Sequence, residues 1–70
     1  MAVYKFITLV GTSTESWEKA VEATVEQANK TLRDLRIAEV EELDAHLENG
    51  RISVYRAKVR ISFKYEDSGD

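Results

Sequence analysis

The residues with the clearest chemical potential are carboxylates in the second half of the chain. Acidic side chains stand at Glu39, Glu41, Glu42, Asp44 and Glu48. Calcium is held by several oxygen ligands, usually including carboxylates. In an extended strand Glu42 and Asp44 share one face, whereas Glu39 and Glu41 share the other. Two carboxylates do not complete a site, so Glu42 and Asp44 predict a metal site only where other copies of the chain contribute. The alternative is a solvated strand face neutralised by a neighbouring strand.

A basic row follows the acidic run. Its members alternate along one face of the next extended segment and are Arg56, Lys58, Arg60 and Lys64. Such a row could contact the phosphates of a nucleic acid. The net charge of −3 argues against nucleic acid as the main partner. We therefore expect the basic row to pair with the acids of the neighbouring strand.

The sequence contains no combination of residues that is typical of a catalytic site. Cysteine is absent and His46 is the only histidine, which excludes disulfides, thiolate metal sites and the usual zinc sites. No serine lies in a nucleophile-elbow motif. Gly11 is not followed by the second glycine of a phosphate-binding loop. The sequence predicts a protein that is not an enzyme.

The acidic and basic residues lie on two long predicted strands, Leu35 to Leu47 and Arg51 to Tyr65. Asn49-Gly50 between them is a strong signal for a two-residue hairpin turn. Such a turn sets the register of the strands, and the register places opposite charges and apolar side chains opposite one another. The predicted pairs are Glu48–Arg51, Glu41–Lys58, Glu39–Arg60, Val40–Val59 and Ala38–Ile61.

The first part of the chain predicts a strand followed by a helix. Val3 to Val10 reads as a strand that Gly11 ends, with Tyr4, Phe6, Thr8 and Val10 on one face. The helix is expected from Glu15 to about Thr31, capped by Thr12 with Glu15, or by Ser13 or Thr14. Its apolar stripe contains Trp17, Ala20, Val21, Thr24, Val25 and Ala28. Trp17 is expected to be a core or interface anchor.

These elements predict an α+β fold with the order β-α-β-β. The third strand lies between the other two, which gives a three-stranded antiparallel sheet of strand order 2-3-1 and a right-handed crossover. The helix covers the face with Tyr55, Ala57, Val59, Ile61 and Phe63, but it is shorter than the hairpin. The uncovered end, near Leu43–Leu47 and Ile52–Tyr55, is expected to pack against other subunits.

The length of 70 residues predicts one domain spanning residues 1–70. A chain of this size buries only about 60% of its unfolded surface, so a monomer is marginally stable. Without disulfides or a zinc site, oligomerisation is the remaining common source of stability. No apolar run is long enough for a membrane span, so no membrane partner is expected. The N-terminus lacks a signal-peptide pattern, which points to the cytoplasm.

The sequence resembles the dodecins over roughly residues 3 to 66. The likeness rests on the opening Val-Tyr-Lys with Leu-Val-Gly-Thr-Ser, the helix ending in Thr-Leu-Arg, Ala-Glu-Val in the second strand, and the closing Tyr-Arg-Ala-Lys-Val-Arg-Ile-Ser-Phe. The resemblance implies a β-α-β-β protein that assembles as a hollow homododecamer. It also implies non-enzymatic binding or storage of a small ligand, with a flavin such as FMN or riboflavin as the family default.

The resemblance places the ligand pocket at Ile37, Arg56 and Asp44. Flavin-binding members have a stacking tryptophan at the position of Ile37, a glutamine that hydrogen-bonds the flavin at Arg56, and commonly an Arg-Gly step at Asp44-Ala45. An aliphatic side chain has no π face for stacking, and arginine has hydrogen-bond donors only. The sequence is therefore also similar to a flavin-poor branch that includes calcium-binding members. Two alternatives stay open: a calcium-binding assembly using Glu42 and Asp44, and a structural scaffold without a small ligand.

Overall fold

The elements follow one another as strand, helix, strand and strand within residues 2–67, the part of the chain that the computed structural model describes. β1 spans Ala2–Ser13, α1 spans Trp17–Thr31, β2 spans Leu35–Glu48 and β3 spans Arg51–Asp67. The strands form one antiparallel sheet in the order β1-β3-β2. The predicted α+β fold and strand order are confirmed. The C-terminal end beyond residue 67, for which the sequence predicts no structure, lies outside the described residues.

Gly11 lies inside β1, so the prediction that it ends the first strand is wrong. A Cβ atom at Gly11 would lie 1.7 Å from Oγ1 of Thr24 and 2.6 Å from the backbone oxygen of Ala20. Both atoms belong to α1, which therefore packs directly on the backbone of β1. Glycine is required here because the helix approaches the strand too closely for any side chain.

The helix begins two residues later than predicted and is capped by Ser16. The Ser16 hydroxyl accepts a hydrogen bond of 3.1 Å from the backbone N–H of Lys19. The hydroxyl of Ser13 instead accepts from the backbone N–H groups of Glu15 and Ser16, at 2.9 and 3.4 Å. Ser13 thus shapes the turn before the helix rather than the helix terminus, and the capping predictions for Thr12, Ser13 and Thr14 are wrong.

The hairpin turn forms at Asn49-Gly50, as predicted. Both residues have positive φ, 52° and 77°, which is the backbone of a type I′ turn. The pairs Glu48–Arg51, Glu39–Arg60, Val40–Val59 and Ala38–Ile61 are confirmed.

The predicted pair Glu41–Lys58 is wrong, because Lys58 pairs with Glu42. The register shifts by one residue between His46 and Leu47 and shifts back between Val40 and Glu42. Irregularities of this kind insert an extra residue in one strand. These two shifts compensate, so the pairs beside the turn and the pairs from Val40–Val59 to Ile37–Ser62 keep the register that the turn predicts, whereas the pairs between the shifts do not. A third shift, between Leu35 and Ile37, takes the last pair, Leu35–Phe63, out of that register.

The core lies between α1 and the odd-numbered positions of β3. Its buried apolar members are Ala20, Ala28, Ala57, Val59 and Ile61. Three of these are alanines, so the core holds little apolar volume. Thr24 is also buried, and its hydroxyl donates to the carbonyl of Ala20 at 2.8 Å, which leaves it satisfied.

The chain is elongated because the hairpin extends beyond the helix. Its longest dimension is 55 Å, whereas a helix of 15 residues is about 22 Å long. The radius of gyration is 14.5 Å, compared with about 11 Å for a compact domain of this length. Apolar side chains on the extended part stay in solvent: Leu43 is 50% exposed, Leu47 61% and Ile52 46%.

Candidate functional site

The candidate site residues lie on the outer face of the sheet, which is the face turned away from α1. Residues directly opposite one another in antiparallel strands point to the same face. The register therefore builds a ladder of four rungs across β1, β3 and β2. The rungs are Phe6–Ser62–Ile37, Thr8–Arg60–Glu39, Val10–Lys58–Glu42 and Thr12–Arg56–Asp44.

The register shift beside Glu41 decides which acids share this outer face. Glu39 lies opposite Arg60 and Glu42 lies opposite Lys58, so both acids share the face of Asp44. The prediction that Glu42 and Asp44 share a face is confirmed. The prediction that Glu39 lies on the other face is wrong, because the extra residue, Glu41, shifts the alternation of side chains by one position. Each acid has a cation as its cross-strand partner, as expected for the basic row.

Asp44 and Arg56 form a two-fold hydrogen-bonded ion pair. Nε of Arg56 donates to Oδ1 of Asp44 at 2.7 Å, and Nη2 donates to Oδ2 at 3.0 Å. Both side chains are about half exposed. The hydrogen bonds from Arg56 and its positive charge lower the pKa of Asp44, against a smaller opposing effect of desolvation. The same hydrogen bonds, the charge of Asp44 and the charge of Glu42 raise the pKa of Arg56.

Trp17 joins the start of the helix to this end of the outer face. Its Nε1–H donates a hydrogen bond of 2.8 Å to the backbone oxygen of Asp44. Its ring meets the ring of Tyr55 edge-on, with centroids 4.8 Å apart. Trp17 is 36% exposed and is not among the side chains that pack against the buried core, so the expectation of a core anchor is wrong, and that of an interface anchor stays a prediction. The sequence identified Trp17 as an anchor but did not predict its contact with Asp44, because the two residues are far apart in the chain.

Ile37 lines an open pocket of about 610 Å³ at the other end of the outer face. The wall residues are Tyr4, Phe6, Arg36, Ile37, Glu39 and Ser62. The backbone N–H of Ile37 donates to the buried Ser62 hydroxyl at 3.2 Å. The guanidinium of Arg60 lies over the ring of Phe6 at 3.9 Å. Among the described residues, this pocket combines aromatic, aliphatic and charged groups in a volume suited to a small molecule.

One chain brings together only part of the predicted flavin site. Asp44 and Arg56 are in contact, but Ile37 lies seven positions from Asp44 along β2, a separation of about 20 Å in an extended strand. Tyr4 and Phe6 were not predicted as pocket residues, although their alternation on β1 already placed them on one face. A ligand that contacts all three predicted positions needs more than one copy of the chain.

Glu42 and Asp44 are the type of ligand that calcium prefers, but one copy of the chain supplies too few of them for a complete site. Glu42 and Asp44 are carboxylates on one face, and calcium prefers such oxygen ligands. In residues 2–67, no group of three or more His, Cys, Asp or Glu side chains converges as a metal site would require. Both oxygens of Asp44 also hold Arg56. Further ligands would have to come from other copies or from water.

The predicted flavin contacts fit less well. Ile37 has no aromatic face, and Arg56 directs two of its donors to Asp44. The side chains at these positions therefore do not offer the stacking surface or the acceptor that a flavin ring would need.

Membrane insertion by a helix is not supported by the described residues. Among them, no helix has both the length and the apolar character needed to cross a bilayer.

Comparisons with known proteins agree with the fold and extend over nearly the whole chain. The family model described as Dodecin matches residues 3–66. The chain is 41% identical over 64 residues to the calcium dodecin of Mycobacterium tuberculosis, covering 91% of this chain and 90% of that protein. It is 36% identical over 66 residues to the dodecin of Thermus thermophilus, covering 94% and 96%.

Solved structures show the same relationship. A Thermus thermophilus protein superposes with a TM-score of 0.90 at 35% identity, over 97% of this chain and all of the other. The calcium dodecin of Mycobacterium tuberculosis, described as a calcium-chelating antigen with a novel calcium-binding site, superposes with a TM-score of 0.81 at 42% identity, over 94% of each chain. Together with the family match over residues 3–66, these similarities show that the chain belongs to the dodecin family.

Proposed function

We propose that the chain is a single domain over residues 1–70 that assembles as a homododecameric cage and binds a small ligand or ion without transforming it. The observation that carries the assembly is the extended hairpin, on which Leu43, Leu47 and Ile52 remain half exposed although the core is small. Burying these side chains between subunits removes apolar surface from water, which stabilises a chain with so few buried residues. Oligomer formation in the dodecin family supports the same proposal.

Calcium is the ligand that we propose first. Glu42 and Asp44 present carboxylates on one face of the hairpin, and residues from neighbouring subunits would complete the coordination. The 41% identity to the calcium dodecin of Mycobacterium tuberculosis supports this choice. Bound calcium would neutralise carboxylates at contacts between subunits and stabilise the assembly by linkage.

The test of the calcium function is a melting curve of the assembled protein in calcium and in a chelator. We expect calcium to raise the melting temperature of the wild type, and Glu42→Gln and Asp44→Asn to abolish the rise. Glu26→Gln, which removes an exposed carboxylate on α1, is the matched control and should keep the rise. A wild type that does not respond to calcium would contradict the proposal.

FMN or riboflavin is the second candidate, with Ile37, Arg56 and Asp44 at the pocket positions. The observation in its favour is the open pocket beside Ile37, whose walls include Tyr4 and Phe6. Loss of riboflavin fluorescence on mixing with the protein would support this candidate. Unchanged fluorescence at tens of micromolar protein would exclude it. A protein that responds to neither calcium nor flavin is a scaffold without a small ligand, the third alternative.

The remaining sequence predictions concern catalysis, partners and location. We propose no enzymatic activity, because the sequence has no residue pattern typical of a catalytic site. We propose no nucleic-acid partner, because Arg56, Lys58 and Arg60 lie opposite acids of β2 and their charge is locally balanced. The absence of a membrane partner and the cytoplasmic location stay predictions.

A further inference from the structure

The guanidinium of Arg56 is bound to the carboxylate of Asp44, one of the two proposed calcium ligands. Its Nε and Nη2 atoms engage both carboxylate oxygens of Asp44, at 2.7 and 3.0 Å. Glu42, the other proposed ligand, lies on the neighbouring rung, opposite Lys58. One arginine thus engages both oxygens of one proposed calcium ligand and lies one rung from the other.

We propose that Arg56 competes with divalent cations for Asp44 and thereby sets the calcium affinity of the protein. This role of Arg56 rests on the proposed calcium function. A calcium ion on Asp44 would lie a few ångströms from the guanidinium while the pair persists, and the two positive charges would repel. The pair therefore weakens calcium binding, and opening the pair relieves the repulsion. Both side chains are about half exposed, so ions from solvent can reach them.

The bidentate geometry makes this competition specific to arginine. A guanidinium matches both oxygens of a carboxylate at once, whereas a lysine ammonium acts as a point charge that hydrates strongly. Arg56→Lys keeps the charge but loses the paired hydrogen bonds, and Arg56→Gln removes both. Arg51→Gln is the matched control, since it makes the same substitution on the same strand, opposite Glu48.

The experiment is a calorimetric titration of the assembled protein with calcium chloride at constant ionic strength. We expect Arg56→Gln to bind calcium about tenfold more tightly than the wild type, because one positive charge is removed from beside a divalent ion. Arg56→Lys should lie between the two, and Arg51→Gln should match the wild type. Circular dichroism and sedimentation check that each variant is folded and assembled.

A double-mutant cycle tests whether Asp44 is the group for which Arg56 competes. In an Asp44→Asn background, Arg56→Gln should give no gain in calcium affinity. A gain of the same size in that background would overturn the proposal. Trp17, the only tryptophan, provides a second readout, since its indole is hydrogen-bonded to the backbone of Asp44. Calcium should change its emission in the wild type and in Arg56→Gln.

The outcomes separate the role of Arg56 from the calcium function itself. If wild type and Arg56→Gln bind calcium equally, the competition is overturned while the calcium function stands. If Arg56→Gln binds calcium and the wild type does not, the competition is supported, and the calcium function proposed for the wild type is overturned. If neither binds, both proposals are overturned.

Discussion

Trp17 donates a hydrogen bond from its indole Nε1 to the backbone oxygen of Asp44, with a length of 2.8 Å. This contact links the first residue of the helix to the middle of the hairpin. The neighbouring ring of Tyr55 packs edge-on against the same indole. Asp44 is therefore held through its side chain by Arg56 and through its backbone oxygen by Trp17.

Replacing Trp17 by Phe should weaken the attachment of the helix to the hairpin. The variant keeps an aromatic ring near Tyr55 but loses the indole donor, and a hydrogen bond of this kind contributes about 1 kcal/mol to stability. Urea unfolding of the two proteins at equal subunit concentration measures the difference. Tyr55→Phe keeps the ring and leaves the indole donor in place, so it should unfold close to the wild type. Equal stability of Trp17→Phe and wild type would show that the hydrogen bond contributes nothing.

Gly11→Ala should destabilise the fold by more than a typical exposed substitution. The new Cβ would overlap Oγ1 of Thr24 and the backbone oxygen of Ala20, so the helix must move away from β1. Overpacking of this kind costs about 1–3 kcal/mol. The double variant Gly11→Ala, Thr24→Ala removes the nearest clash and should recover part of the loss relative to Thr24→Ala alone. Thermal unfolding measures the four proteins, and a Gly11→Ala variant as stable as wild type would contradict the close packing.

The Asp44–Arg56 pair should make stability fall in acid. The pKa of Asp44 is lower in the folded protein than its ordinary value of 3.8. A carboxyl with a depressed folded pKa contributes stability at pH values above its unfolded pKa, and the contribution disappears as pH falls through the folded pKa. Denaturant unfolding between pH 6 and pH 2 should therefore show a steeper loss for wild type than for Asp44→Asn. Glu26→Gln should keep the wild-type slope, and identical slopes for all three would contradict the prediction.

Leu47→Lys should prevent assembly without removing the monomer core. Leu47 is 61% exposed in the single chain, so its replacement leaves the contacts between α1 and β3 unchanged. A lysine at a subunit contact would have to bury its charge, which is strongly unfavourable. Sedimentation measures the mass of the particle. Asn29→Lys, an exposed position on α1, is the control. An intact oligomer of Leu47→Lys would show that the hairpin tip is not an interface.

Ile37→Trp should create or strengthen flavin binding. The substitution places an aromatic face in the pocket of about 610 Å³ that already contains Tyr4 and Phe6. Stacking on an aromatic side chain contributes about 1–3 kcal/mol per base in nucleotide binders. Quenching of riboflavin fluorescence measures the affinity, and Ile52→Trp, also an exposed isoleucine, is the control. Unchanged affinity of Ile37→Trp would show that the flavin position does not map to residue 37.

The register of the β2–β3 hairpin could be predicted from turn chemistry and residue alternation only in part. Asn49-Gly50 selects a type I′ turn, and this turn sets the register of the residues beside it, so Glu48–Arg51 followed directly from the sequence. Glu39–Arg60 also agreed, because the two register shifts compensate each other. Glu41–Lys58 failed because Glu41 is the extra residue at one of those shifts and is skipped in the pairing of β2 with β3. A pattern of alternating residues does not reveal where an extra residue enters a strand.

Gly11 and Ser16 show the same limit at the strand–helix junction. Glycine after a run of strand residues usually signals a turn, but here it accommodates the helix packed on β1. Several hydroxyl residues precede the helix, and all have the chemistry of a cap. Only the path of the chain decides that Ser16 caps α1 while Ser13 closes the preceding turn.

The sequence by itself determined the order of the elements, the strand order of the sheet, the apolar stripe of the helix and the balance of acids and bases on the hairpin. The strand order follows from the hairpin and the rule for crossover connections. The other features follow from periodicity and turn chemistry, which act between residues near one another in the chain. The tertiary structure decided which acids share the outer face, that Arg56 holds both oxygens of Asp44, and that Trp17 reaches Asp44 from the helix. Those contacts join residues on different elements, so they depend on bulges and packing distances that no local pattern contains.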